Sequence, residues 1–247
     1  MLQRISRYLR RTLEKRRERA ALARLSAEER ALISRIQARK LSYLSATKLA
    51  SLANTCHAIE NGHLPGIVIE AGCALGGSAI LIATLKSAAR PFYIYDVFGM
   101  IPPPTQEDTP EVHDRYQIIA RGESKGIDGG KYYGYETDLY GMVHANLVDF
   151  GIDCQKRSVS LVKGLVQETM QIDEPVAFAH IDVDWYEPVK TCLQRIFPRL
   201  AVHGSIILDD YHVWGGCRKA VDEYLLESGG QYALDDSAGS MKITRLK

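Results

Sequence analysis

No apolar run in this 247-residue sequence approaches the roughly 20 residues that a membrane-spanning helix requires. No positive n-region followed by an apolar stretch and a small-residue cleavage site opens the chain, so a secretory route is not expected. Cysteine is scarce: there are five, an odd number, and no two stand in C-x-x-C spacing. A disulfide framework and a thiolate zinc site are both disfavoured, and reduced core thiols in a cytoplasmic protein are the expectation. Repeats and low-complexity tracts are missing too, which argues against a solenoid or a disordered chain. So is the G-x-G-x-x-G spacing of a dinucleotide-binding turn.

What is present suffices for a substantial core. Hydrophobic residues make up 46% of the chain, and the length suits one domain with an appendage. The net charge of +1 conceals an asymmetry: residues 1–40 hold 13 Lys/Arg against 4 acids, leaving 18 against 26 in the remainder. In the basic part Leu2, Ile5, Leu9 and Leu13 recur at helical spacing, which predicts an amphipathic basic helix. It either packs its apolar stripe on the domain or a partner subunit of a homo-oligomer, or makes peripheral contact with an anionic membrane surface. Nucleic acid is not an expected partner.

Ser26 followed three residues later by Glu29 is a capping box that starts a second helix. A third fits "SATKLASLANTCHAIENG", with Leu49, Leu52, Cys56 and Ile59 on one face and Gly62 as its stop. Beyond residue 62 the pattern becomes alternating. The segments "GIVIEAG", "PFYIYD", "VSLVKG", "VAFAHID" and "GSIILDD" read as short apolar strands. Helical spacing marks "GGSAILIATLKSA", "ETDLYGMVHANLVDFG", "EPVKTCLQRIFPRL" and "CRKAVDEYLLES", while "QYALDD" and "MKITRLK" form a terminal pair. Apolar strands alternating with helices predict an α/β fold: a doubly wound sheet after a helical extension over 1–62. Residues 97–134, rich in Pro, Gly, Tyr and charge, read as a long loop serving as a lid or acceptor-binding insert.

In such a sheet, ligands bind beyond the carboxyl ends of the strands. Those ends carry Glu70 and Gly72, Asp96, Gly164, Asp182 with Asp184, and Asp209 with Asp210. After the first strand Gly72, Gly76, Gly77 and Ser78 open a helix, offering close backbone approach and free N–H groups to a carboxylate or phosphate. Asp96 is placed to accept from two ribose hydroxyls. Glu70 would repel a pyrophosphate but suits a cationic ligand such as the amino group of S-adenosylmethionine. The glycines could also do no more than form a tight strand–helix turn.

On these residues the chain resembles the class I S-adenosylmethionine-dependent methyltransferases. More narrowly it is similar to the macrocin O-methyltransferase family, which methylates sugar hydroxyls on macrolide and aminocoumarin antibiotics. The pieces that carry the resemblance are "NGHLPGIVIEAGCALGGSA", "YDVFGMIPPPT", "HIDVDWYEP" and "ILDDYHVWGGCRKAVDEY". It runs from about Ser42 to the end and leaves the first forty residues unmatched. It implies a Rossmann-like methyltransferase sheet, mostly parallel with an antiparallel C-terminal strand. It also implies that Gly164 passes close to the adenine, that Asp182, Asp209 and Asp210 are metal ligands, and that Asp184 is the general base. Asp182 is expected to serve the cofactor as well as the metal.

Residue chemistry is consistent with this. Three or four carboxylates at one sheet edge need a cation, and an all-oxygen set suits Mg²⁺, Mn²⁺ or Ca²⁺ rather than zinc. A D-x-D pair also marks sugar-nucleotide glycosyltransferases, and His180 with Asp182 and His212 could imitate a non-haem iron triad. Helix capping could account for Asp184 or Asp210 singly, but not for all four carboxylates. The expectation is therefore a divalent-metal-dependent O-methyltransferase acting on a hydroxyl of a sugar or vicinal diol on a natural product or glycan. A carboxylate or phenol is the alternative acceptor. Tyr132, Tyr133, Tyr135, Trp185 and Tyr186 either line the acceptor pocket or pack.

Overall fold

The computed structural model of the chain describes residues 18–247. The expected basic helix through Leu2, Ile5, Leu9 and Leu13 lies outside the described residues. Among the described residues no helix is long and apolar enough to cross a membrane.

Helix α1 (Ala27–Ala38) starts at the capping box: Ser26 Oγ accepts from Glu29 N, and Ser26 N donates to Glu29 Oε2. Helix α2 (Ala46–Asn61) is capped by Ser45 and ends at Gly62. Its predicted face is the buried one: Leu49, Leu52, Cys56 and Ile59 are all essentially inaccessible, each large apolar side chain contributing about 1.5–3 kcal/mol on burial.

Five strands then alternate with helices. They are β1 (Ile67–Ala71), β2 (Phe92–Asp96), β3 (Val159–Lys163), β4 (Val176–Ile181) and β5 (Leu200–Leu208), followed by β6 (Tyr232–Asp235) and β7 (Met241–Arg245). The sheet order is β3-β2-β1-β4-β5-β7-β6. The first five strands pair in parallel, while β7 runs antiparallel to both β5 and β6. Strand order therefore reverses between β1 and β4, the place where ligands bind in open α/β sheets.

Both faces are covered, which is why the strands read as continuous apolar runs. One layer holds α1, α2, α3 (Gly77–Leu85) and α5 (Leu139–Asp149), with Ile36, Leu49, Ile80 and Leu147 sharing a core with Val68 and Phe92. The other holds α6 (Val166–Thr169), α7 (Tyr186–Ile196) and α8 (Gly215–Ser228), packed on Ile69, Ala179 and Ile206. In α7, Val189, Cys192, Leu193 and Ile196 fall at i, i+3, i+4 and i+7 and are fully buried. The N-terminal helices thus share one core with the sheet.

The 97–134 segment is more ordered than a loop. It contains α4 (Pro110–Ala120), with Pro at its first position, and a small core of Ile101, Val112, Ile119 and Tyr132 around Trp185. Val112, Tyr116 and Ile119 stand at i, i+4 and i+7, a helical signal that the surrounding Pro and Gly obscure.

Candidate active site

The chain leaves β1 through Gly72, whose φ is +82° and whose amide donates to Tyr95 O. A Cβ there would lie 1.9 Å from the carbonyl oxygen of Asp182, so only glycine permits the β1 and β4 exits to touch. Gly76 caps α3 in the left-handed region at φ +86°. Asp96, at the end of β2, organises this turn. Its Oδ2 accepts from Cys73 N at 2.8 Å and Ala74 N at 3.3 Å, and its Oδ1 from Phe98 N at 2.7 Å. Burial pushes the Asp96 carboxyl up, and the amide bonds oppose that push.

At the ends of β4 and β5 the carboxylates converge. Asp182, Asp209 and Asp210 each bring an oxygen to within 4.8 Å of the others. Asp184 stands beside this group with φ at +58°; its amide donates to Asp210 Oδ2 at 3.0 Å, and its Oδ1 accepts from Trp214 Nε1 at 2.8 Å. Capping does not explain these acids. Asp108, from the insert, accepts from the first amide of α7 at Tyr186, at 2.8 Å. Burial first, and then Asp210 and Asp209, holds Asp182 well above the usual carboxylate range. Asp184 is raised by burial and Asp210, against the Trp214 bond. Asp210 is pushed up to about 6 by burial and Asp209.

Among the described residues one ammonium reaches the group. Lys48 Nζ, from α2, donates to Asp209 Oδ2 at 2.8 Å and Asp209 O at 3.2 Å, while Ser240 Oγ donates to Asp209 Oδ1 at 2.8 Å. Nothing in the local pattern of α2 marks Lys48, because its partner lies 161 residues away. The converging carboxylate oxygens of Asp182, Asp209 and Asp210 make an all-oxygen donor set that would suit a hard divalent cation.

An open cleft runs from Gly72 in the glycine turn to Asp182 and Asp184. Of the residues expected at a cofactor site, it brings together Gly72, Asp96, Gly164 and Asp182, with Asp184 on the same wall. Gly76 and Ser78 sit at the start of α3 and do not line it. Glu70 does not reach the cleft either. Alternation along β1 turns it to the face opposite Ile69 and Ala71, where it is fully buried and its Oε1 meets His180 Nδ1 at 2.9 Å. Among the described residues Glu70 Oε2 and His180 Nε2 have no hydrogen-bond partner. That pairing also removes His180 from the carboxylate group, and His212 lies near Asp236 instead.

The insert forms the other wall. Trp185 Nε1 donates to Pro102 O at 2.9 Å, and Asp108 Oδ2 accepts from Thr105 N at 2.9 Å. Of the insert's tyrosines, Tyr133 lines the cleft; Tyr135 instead braces the insert, donating to Ile119 O and accepting from Ser124 N. Tyr186 donates to Glu223 and accepts from Lys190 away from the cleft. Sequence reasoning missed Asp108, Trp214 and Ser240 as well as Lys48, since each acts across elements distant in the chain.

The model of the macrocin O-methyltransferase family, described as "Macrocin-O-methyltransferase (TylF)", matches residues 3–235. The match begins well before Ser42, so the basic segment belongs to the shared region rather than outside it. Demethyldecarbamoylnovobiocin O-methyltransferase from Streptomyces niveus is 23% identical over 188 residues, 72% of this chain and 64% of that protein. The 8-demethyl-8-(2,3-dimethoxy-alpha-L-rhamnosyl)-tetracenomycin-C 4'-O-methyltransferase of Streptomyces olivaceus is 28% identical over 180 residues, 70% of this chain and 61% of that protein. The chain thus spans less than two thirds of the length of these relatives. Among solved structures, the O-methyltransferase NovP aligns with a TM-score of 0.66 at 20% identity, covering 84% of this chain and 83% of that one. The S-adenosylhomocysteine (SAH)-bound Podospora anserina methyltransferase PaMTH1 aligns at 0.59 and 14% identity, covering 96% of each chain. These likenesses in structure establish the fold.

Proposed function

The chain belongs to the macrocin O-methyltransferase family, and we propose that it moves a methyl group from S-adenosylmethionine to a hydroxyl of a sugar or other vicinal diol on a natural product or glycan. The observation that carries this reading is the meeting of Asp182, Asp209 and Asp210, with Asp182 and the neighbouring Asp184 lining the cleft that starts at Gly72. The name of one relative specifies a rhamnosyl-bearing acceptor, which favours a sugar hydroxyl over a carboxylate or phenol.

In this reading Gly72 and Gly164 let the backbone lie against the cofactor, and Asp96 presents its remaining lone pairs to the ribose while holding the turn. Asp182, Asp209 and Asp210 would hold a divalent cation. When bound, the cation supplies Lewis-acid polarisation of the acceptor hydroxyls. Asp184 takes the proton of the attacking hydroxyl. Its αL backbone and the Trp214 bond aim it. Tyr133 and the Pro102–Thr105 wall exclude water from the reacting atoms. The sulfonium is already activated, so in-line positioning supplies much of the remaining rate.

Transfer of labelled methyl to a panel of glycosides, with and without chelator, tests the reading. Chelator-sensitive labelling of vicinal diols is expected, and labelling of phenols or carboxylates that survives chelator would replace it with the alternative acceptor. Asp184→Asn should lower turnover by at least about 10²-fold while leaving SAH binding intact.

A further inference from the structure

We propose that Lys48 is a built-in counter-cation that sets the charge of the carboxylate site to match a divalent ion. This rests on the metal reading above and extends it to a residue of the N-terminal helices.

Lys48 lies in the first turn of α2, whose Ser45 cap accepts from the Lys48 amide at 3.3 Å. The helix start is thereby held, and the lysine stem is directed under the end of β5. Its Nζ makes a bidentate contact with Asp209, through Oδ2 at 2.8 Å and the carbonyl oxygen at 3.2 Å. The pair is shielded from water, with side-chain exposures of 17% for Lys48 and 12% for Asp209. Among the described residues no other Lys or Arg lies within ion-pair distance of Asp182, Asp209 or Asp210.

Charge counting gives this contact its meaning. With a cation bound, the three ligand carboxylates are ionised and carry three negative charges, and Lys48 offsets one of them. Buried like charges are costly unless compensated, and among the described residues Lys48 brings the one full positive charge within ion-pair distance of these three acids. A divalent cation offsets the other two, while Asp184 beside them stays outside this count. Ser240 provides a control within the same site, because it donates to the other oxygen of Asp209 and carries no charge.

Removing the ammonium should therefore have two effects of opposite sign. The metal-free protein loses a counter-ion and becomes less stable. The site for an added cation becomes more negative and binds it more tightly. A residue that merely orients Asp209 would give the first effect with weaker, not tighter, binding.

The test is calorimetric titration of the full chain with Mn²⁺, paired with thermal melts in chelator. For Lys48→Met the chelated melt should fall, and Mn²⁺ affinity should rise by about tenfold or more, given the strength of Coulomb interactions at contact range. Lys48→Arg should restore both. Ser240→Ala should lower the melt without tightening Mn²⁺. If Lys48→Met does not fold, Lys48→Gln, which keeps a donor but no charge, is measured in its place with the same expectation. Unchanged or weaker Mn²⁺ binding in the neutral variants, with binding retained by the wild type, overturns the role of Lys48 alone. A wild type that takes up no Mn²⁺ overturns the metal reading and this inference together.

Discussion

Trp214 Nε1 donates to Asp184 Oδ1 at 2.8 Å, joining the cap of α8 to the loop after β4. The indole ring also meets Trp185 edge-on, with centroids 5.7 Å apart. Asp184 is therefore held twice, through its carboxylate by Trp214 and through its amide by Asp210. Trp214→Phe keeps the ring and removes the donor. Because a hydrogen bond to a charged group is worth about 1.5–3 kcal/mol, kcat should drop by about tenfold to a hundredfold, with SAH affinity unchanged by calorimetry. Equal losses in kcat and cofactor affinity would mean that Trp214 shapes the whole cleft rather than the base.

Gly72 tests the joint between the β1 and β4 exits. Its φ is +82°, and an added Cβ would meet Asp182 O at 1.9 Å, which leaves no room for alanine. Gly72→Ala should cost about 2–4 kcal/mol in urea denaturation and abolish measurable SAH binding. Near-wild-type stability would show that the loop after β4 yields easily.

Asp108 tests whether the insert is latched. It accepts from Tyr186 N and Thr105 N, and a Cβ on Gly216 would lie 2.0 Å from its Oδ1, so α8 also crowds it. Asp108→Ala leaves the α7 amide and the Thr105 turn without partners, a loss of about 2 kcal/mol. Hydrogen exchange should quicken at the Tyr186 amide and through residues 102–108. Faster exchange across the whole sheet instead would mean a global effect.

Alkaline pH should weaken the fold through its buried thiols. Burial raises Cys56, Cys73 and Cys217 above the ordinary thiol value of 9.0, and Cys192 up to about 12. Between the unfolded and folded values the native chain keeps protons that the unfolded chain releases. Stability is thus full below about pH 9 and falls as pH rises, by about 1.4 kcal/mol per unit for each such thiol. Lys86 acts oppositely: burial lowers it from 10.5 to about 8, so its contribution grows with pH over that interval. Four thiols outweigh one ammonium. Denaturation under reducing conditions at pH 9, 10 and 11 should show the decline, and Cys192→Ala should make it shallower. A flat profile would remove the thiols from this role.

The alternation of apolar runs and helices, the capping box at Ser26 and the stop at Gly62 were all legible in the sequence, because each depends on contacts within a few residues. So was the convergence of Asp182, Asp209 and Asp210: parallel strands that each end in acid must bring those ends to one edge. Asp96 and Gly72 were legible for the same reason. The tertiary structure alone decided Glu70. Strand β1 is buried on both faces, so polarity along it carries no sign of which face a residue takes, and the register of β1 on β4 sets Glu70 opposite His180. It alone also brought Lys48, Asp108, Trp214 and Ser240 to the carboxylates and the insert. Long-range ion pairs and hydrogen bonds depend on where whole helices dock, and a side chain's own neighbours in sequence hold no record of that.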